Sequence, residues 1–159
     1  MIIKTKLTEK DFINVNFVLS YDKTSTKIFT GIIVVIYAIS VFTAPFSESP
    51  LSQIFSPLLM VFLIPLFTYF TVKKNYAANP RISETIEYEF DKDYLLMKGE
   101  SFNSQLSWEK VYKVTQTKNW ILIWQNRQIA NPIPKRDIWE GQMEDLKTIL
   151  NEHQVKNNL

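Results

Sequence analysis

Apolar and polar positions divide this chain into stretches of different periodicity. The opening "MIIKTKL" alternates apolar and polar residues, the period of a strand with one buried face. "LTEKDFINVNFVLSY" follows, with Thr8 placed to cap a helix N-terminus and with Glu9 and Asp11 in its first turn, where the helix dipole favours acids. Phe12, Val15 and Leu19 then share one face. Residues 1–27 therefore read as a short strand and a short amphipathic helix.

Alternation then stops. From Ile28 to Ser47 there is no Asp, Glu, Lys or Arg, and after the single acid Glu48 none occurs again from Ser49 to Val72. Each stretch matches the roughly 20 residues that a helix needs to cross a bilayer core. The pattern predicts a transmembrane hairpin over residues 28–74, with spans at about 28–46 and 52–72 and the polar turn "SESP" between them. Pro57 and Pro65 predict a kinked second span, with shape alone as their role. Lys23, Lys27, Lys73, Lys74 and Arg81 lie beyond the far ends, so the positive-inside rule puts both termini in the cytoplasm. Lys27, Lys73, Lys74 and Tyr76 would anchor the spans at the headgroups. The first apolar run starts at residue 28 behind a segment of mixed charge, so no cleaved leader is expected.

From residue 80 to 159 alternation returns. "ETIEYEF", "YLLMKG", "ESFNSQLSW", "KVYKVTQT", "WILIWQN" and "RQIANPI" read as strands separated by turns such as "DKD" and "KN". Asp137 and Glu140 have capping-box spacing, and Trp139, Met143, Leu146 and Leu150 recur at helical intervals, which predicts a closing helix. Six antiparallel strands leave edges unpaired, and the N-terminal "IIKTKL" strand is a candidate seventh member.

Two adjacent apolar stretches, then "SWEKVYKVTQTKNWILIW" and a closing "IPKRDIW" ahead of a helix, resemble the YcxB-like family of small bacterial membrane proteins. Trp108, Val111, Val114, Trp120, Ile123, Ile133, Pro134, Lys135 and Arg136 carry the resemblance. It implies a pleckstrin-homology-like (PH-like) domain of seven strands closed by a C-terminal helix. The expected class is an α+β membrane protein: a two-helix hairpin plus a PH-like antiparallel barrel or sheet capped by the helix, with the N-terminal strand as a further sheet member. The expected compartment is the bacterial inner membrane, multi-pass, with residues 80–159 cytoplasmic.

Composition narrows the chemistry. No cysteine excludes disulfides, thiolate zinc sites and cysteine nucleophiles, and glycine only at 31, 99 and 141 leaves no phosphate loop. A net charge of +2 argues against general affinity for nucleic acid. His153 is the sole histidine, at a predicted helix end. Asp91 and Asp93 flank Lys92 in a turn, where aspartate binds nearby amides more often than a cation. Neither a catalytic pair nor a metal or cofactor site is expected. Trp120 and Trp124 share parity with Leu122 and read as sheet core.

Lys135 and Arg136 precede the predicted helix and are the candidate anion or surface contact, with a structural joint as the competing reading. The expected function is a non-enzymatic membrane protein whose PH-like domain mediates protein or membrane-surface contact. Its expected partners are the lipid bilayer and a protein, with a second copy of the chain left open. The alternative is self-protection against a membrane-active toxin through the "SESPLSQ" turn. A lipid-acting enzyme lacks a nucleophile and base.

Overall fold

The computed structural model describes residues 1–22, 24–43 and 50–159; the side chains of residues 22, 24, 25, 27, 29, 40–43 and 50–61 are outside that description. The "SESP" turn, the Pro57 side chain and the Lys27 side chain therefore lie outside the described residues. The chain forms two compact units: residues 1–8 with 79–159, and residues 9–78.

The first unit is built of strands β1 (Ile2–Lys6), β2 (Thr85–Phe90), β3 (Tyr94–Lys98), β4 (Asn103–Ser107), β5 (Lys113–Gln116), β6 (Trp120–Trp124) and β7 (Ala130–Pro134). All pair antiparallel, in two sheets ordered β1-β2-β3-β4 and β5-β6-β7. The N-terminal strand does join the sheet: Ile3 stands opposite Tyr88 and Thr5 opposite Ile86. Met1 extends the pair, its backbone exchanging hydrogen bonds with Phe90.

Three tight connections set these registers. Asp91 accepts a hydrogen bond from the Lys92 amide at 2.6 Å while its own amide donates to the Tyr94 carbonyl, closing β2 onto β3. Glu84 accepts from the Ser101 amide at 2.9 Å and steadies the β3–β4 turn, whose Gly99 sits so close to the Phe102 ring that a side chain there would collide with it. The Thr117 amide donates to the Trp120 carbonyl at 2.8 Å, closing β5 onto β6.

The expected single sheet is broken between β4 and β5. A 3₁₀ turn at Trp108–Lys110 intervenes, and the Trp108 indole donates to the Asp91 carbonyl at 3.1 Å, which redirects the chain into a second sheet. Alternation then buries one face of each sheet in a common core. Ile3, Tyr88, Phe90, Leu95 and Met97 come from the first sheet, and Val114, Ile121, Ile123 and Ile133 from the second. Burial pushes the Tyr88 hydroxyl pKa far up, because the ionised form would lack solvent.

Helix α1 spans Glu9–Asp22, α2 Thr24–Thr43, α3 Pro50–Ala78 and α4 Gln142–Glu152. Leu146 and Leu150 of α4 are fully buried in the core shared by the two sheets. In the second unit Val15 of α1 and Val72 of α3 are buried, the Phe12 and Tyr76 rings lie 5.9 Å apart, and Lys73 is 3.4 Å from the Glu9 carboxylate.

The transmembrane hairpin and the multi-pass inner-membrane location require correction. Among the described residues no helix is long and apolar enough to cross a membrane. A gap between charges measures where the chain avoids Asp, Glu, Lys and Arg; a span needs a helix-long window of apolar residues. Here α2 opens on Thr24, Ser25, Thr26 and Lys27, and α3 carries Ser52, Gln53 and Ser56 near one end and Lys73, Lys74 and Asn75 near the other. The fold is an α+β arrangement of two sheets and four α-helices among the described residues.

Candidate functional site

The "NPIPKRDIW" corner begins where β7 ends. Pro132 and Pro134 fit there because, among the described residues, β7 pairs only with β6 and a proline lacks the amide that an inner strand would use. The chain then makes a 3₁₀ turn over Lys135–Asp137, and α4 begins only at Gln142. Gly141 precedes it with φ of 92°, in the left-handed region that favours glycine. Asp137 is therefore no helix cap.

Each charged residue of the corner has a local role. The Lys135 amide donates to the Asn119 carbonyl at 2.9 Å, and its ammonium donates to Gln116 Oε1 at 2.7 Å. Gln116 is also tied to Asn158, through its amide and its side chain, so Lys135 joins the β5–β6 turn to the C-terminal residues. Arg136 Nε lies 3.5 Å from Asp137 Oδ1, with its side chain 54% exposed. Asp137 Oδ2 accepts from the Thr5 hydroxyl at 2.5 Å, and Thr5, on β1, is only 3% exposed. A buried hydroxyl needs such a partner, so this bond fixes the corner to the N-terminal strand.

Trp139 was expected on the apolar face of the closing helix. It lies ahead of α4 and is 79% exposed, whereas Trp108, Trp120 and Trp124 are buried. The helical spacing of Met143, Leu146 and Leu150 does not extend back across Gly141. Gln142 holds the tryptophan in place: its Oε1 accepts from the Trp139 amide at 2.9 Å while its Nε2 donates to the Ile2 carbonyl at 3.0 Å. Ile2 is itself 48% exposed. Ile138, next to Trp139, packs against the core. A bare indole thus stands on backbone fastened both to the core and to β1.

Gln142 and Thr5 were not singled out from the sequence. Gly141 was the available signal, since a glycine between Trp139 and the periodic leucines marks a backbone reversal that separates the two.

The corner lies within residues 90–150, from the end of β2 into α4, and these residues match the family model described as YcxB-like protein. This stretch is YcxB-like. The match covers β3 to β7 and most of α4, and it includes Trp108, Val111, Val114, Trp120, Ile123, Ile133, Pro134, Lys135 and Arg136. No curated protein and no solved structure matches the chain.

Other candidate residues of the first unit have structural settings. His153 caps the C-terminus of α4 and stacks on Trp108, rings 5.1 Å apart and 12° from parallel, with Phe90 on that indole as well. Asp91 is held below the usual carboxylate range, first by the Lys92 amide and then by the Tyr94 hydroxyl. Among the described residues no group of three or more His, Cys, Asp or Glu is arranged to hold a metal ion. In the second unit Lys73 faces Glu9 and lies 6.0 Å from the Tyr69 ring, Tyr76 packs on Phe12, and Lys74 is exposed.

Proposed function

We propose that this protein is a non-catalytic interaction module whose first unit binds a protein partner through the Trp139 corner. The observation that carries the reading is the exposure of Trp139 on a fixed backbone. A tryptophan in water leaves a large apolar area unburied, and such side chains dominate protein interfaces when they enter a partner's pocket. Preorganisation adds to this. The Gln142 bonds and the Ile138 contact hold the corner in place before any partner arrives, which lowers the entropy lost on binding.

Lys135 supports the same reading from the other side. Its ammonium is engaged by Gln116, which favours the structural-joint role, and Arg136, three residues before Trp139 and 54% exposed, is the rim cation. Rim charges steer encounter and register more than they add affinity.

Partner capture by the full chain, followed by titration of the identified partner, tests the proposal. Trp139→Ala is expected to weaken binding by about 30-fold or more, the effect of losing an aromatic anchor. Arg136→Gln is expected to slow association and reduce its salt dependence. Unchanged affinity in Trp139→Ala would remove the corner from the interface.

A further inference from the structure

The two sheets have four edges, and among the described residues three are closed by distinct devices. β1 exposes Lys4 and Lys6, and its Ile2 carbonyl is taken by Gln142. β7 carries Pro132 and Pro134. β5 is bordered by the C-terminal residues: the Val114 amide donates to the Lys156 carbonyl at 2.8 Å, and Val114 bridges to Asn157 in parallel. Lysines, prolines and covering segments are the means by which proteins keep sheet edges from pairing with other chains. β4, "NSQLS", has no charge and no proline, and among the described residues no strand covers it, with Asn103, Ser104 and Gln105 exposed.

The pairing to β3 fixes which backbone groups of β4 face outward. The Gly99 amide donates to the Phe102 carbonyl, so hydrogen-bonded pairs recur at Met97 with Ser104 and Leu95 with Leu106. Asn103, Gln105 and Ser107 are the alternate residues, and their amides and carbonyls point away from the sheet. These three are symmetric about Gln105.

We infer that β4 is a self-association edge, whose occupant is β4 of a second copy of this chain, antiparallel across a two-fold axis at Gln105. In that register Gln105 faces its own counterpart and Asn103 faces Ser107 of the other copy. All three outward residues are paired, giving about six backbone hydrogen bonds. On the core side Leu106, which is partly buried, lies over the exposed Ser104 of the other copy, a large residue against a small one. Charge selects the same occupant. β4 is neutral along its length, so self-pairing sets no like charges opposite each other, whereas a two-fold β1 pair would set Lys4 against Lys4. An isologous edge also closes after two copies and does not propagate. The result is one sheet continuous from β1 of one copy to β1 of the other. This inference is independent of the Trp139 corner.

The chain has no cysteine, so a single introduced thiol reports the register. Across a hydrogen-bonded antiparallel pair the Cα atoms lie about 5.5 Å apart, within disulfide reach. Full-length Gln105→Cys is expected to form a disulfide dimer on mild oxidation. Asn103→Cys, equally exposed, is expected not to, because its symmetry mate lies about 13 Å along the strand. Sedimentation equilibrium of the unmodified chain is expected to show a concentration-dependent dimer. Cross-linking of both variants alike, of neither, or of Asn103→Cys alone overturns the inference. So does an unmodified chain that stays monomeric up to about 500 μM.

Discussion

Thr5, Asp137 and Gln142 decide where the corner sits, and each does so through one or two hydrogen bonds to or from β1. Removing the Thr5 hydroxyl leaves the Asp137 carboxylate, whose side chain is 22% exposed, without that donor. Thr5→Val is therefore expected to cost about 1–2 kcal/mol in urea unfolding, the range for a lost hydrogen bond to a partly buried charge. Asp137→Asn is expected to cost less, since an amide oxygen can still accept.

Acid sensitivity has its origin at the same scale. The Ser101 hydroxyl and amide hold the Glu84 carboxyl below its usual range. Folding thus lowers its pKa, so the unfolded chain binds more protons there. The contribution is complete above the unfolded value and is lost as pH falls through the lowered folded value. Urea midpoints measured from about pH 6 to pH 3 should fall for the wild type and fall less steeply for Glu84→Gln.

At the scale of elements, the strands were legible because alternation has a direct spatial meaning. Ile3, Thr5, Tyr88, Phe90, Leu95 and Met97 face inward as their parity requires. "WILIW" is a different signal. Ile121 and Ile123 belong to the shared core, while Trp120, Leu122 and Trp124 occupy the opposite face of β6 and are buried too. There the Trp124 indole donates to Thr115 at 2.8 Å, and the Lys113 ammonium lies 5.0 Å from its ring. A continuous apolar strand is the mark of burial on both sides. Parity correctly grouped the tryptophans, but it did not tell which face met α4.

The split into two sheets was not legible, because it depends on the Trp108 turn and its long-range bond to Asp91. The seventh strand was legible from the alternation of "MIIKTKL" together with an edge needing a partner. Deleting residues 1–6 removes the whole of that strand and uncovers β2. The expected outcome is loss of cooperative unfolding of the first unit, read by tryptophan fluorescence; an unchanged transition would show that β1 contributes little.

At the scale of the whole molecule, the charge-free stretches find no spanning helix among the described residues. Residues 28–47 and 49–72 avoid charge, yet among the described residues the helices built from them do not reach the length of apolar window that a span needs. The division of the chain also differs from its linear order, since residues 1–8 belong to one unit with 79–159 while residues 9–78 form the other. A fragment beginning at Pro80 would therefore lack β1, the Thr5 partner of Asp137 and the Ile2 carbonyl that anchors Gln142. Partner binding has to be measured on the full chain.

If the Trp139 corner is a preformed docking point, its indole serves binding and not folding, and a paired measurement on one variant separates the two. Thermal unfolding and partner affinity of Trp139→Ala are compared with the wild type. Because the indole is 79% exposed, stability should change by less than about 0.5 kcal/mol, while affinity for the partner should fall at least about 30-fold. A variant that binds as tightly as the wild type, or one that unfolds several degrees earlier, would show that Trp139 is not a docking anchor.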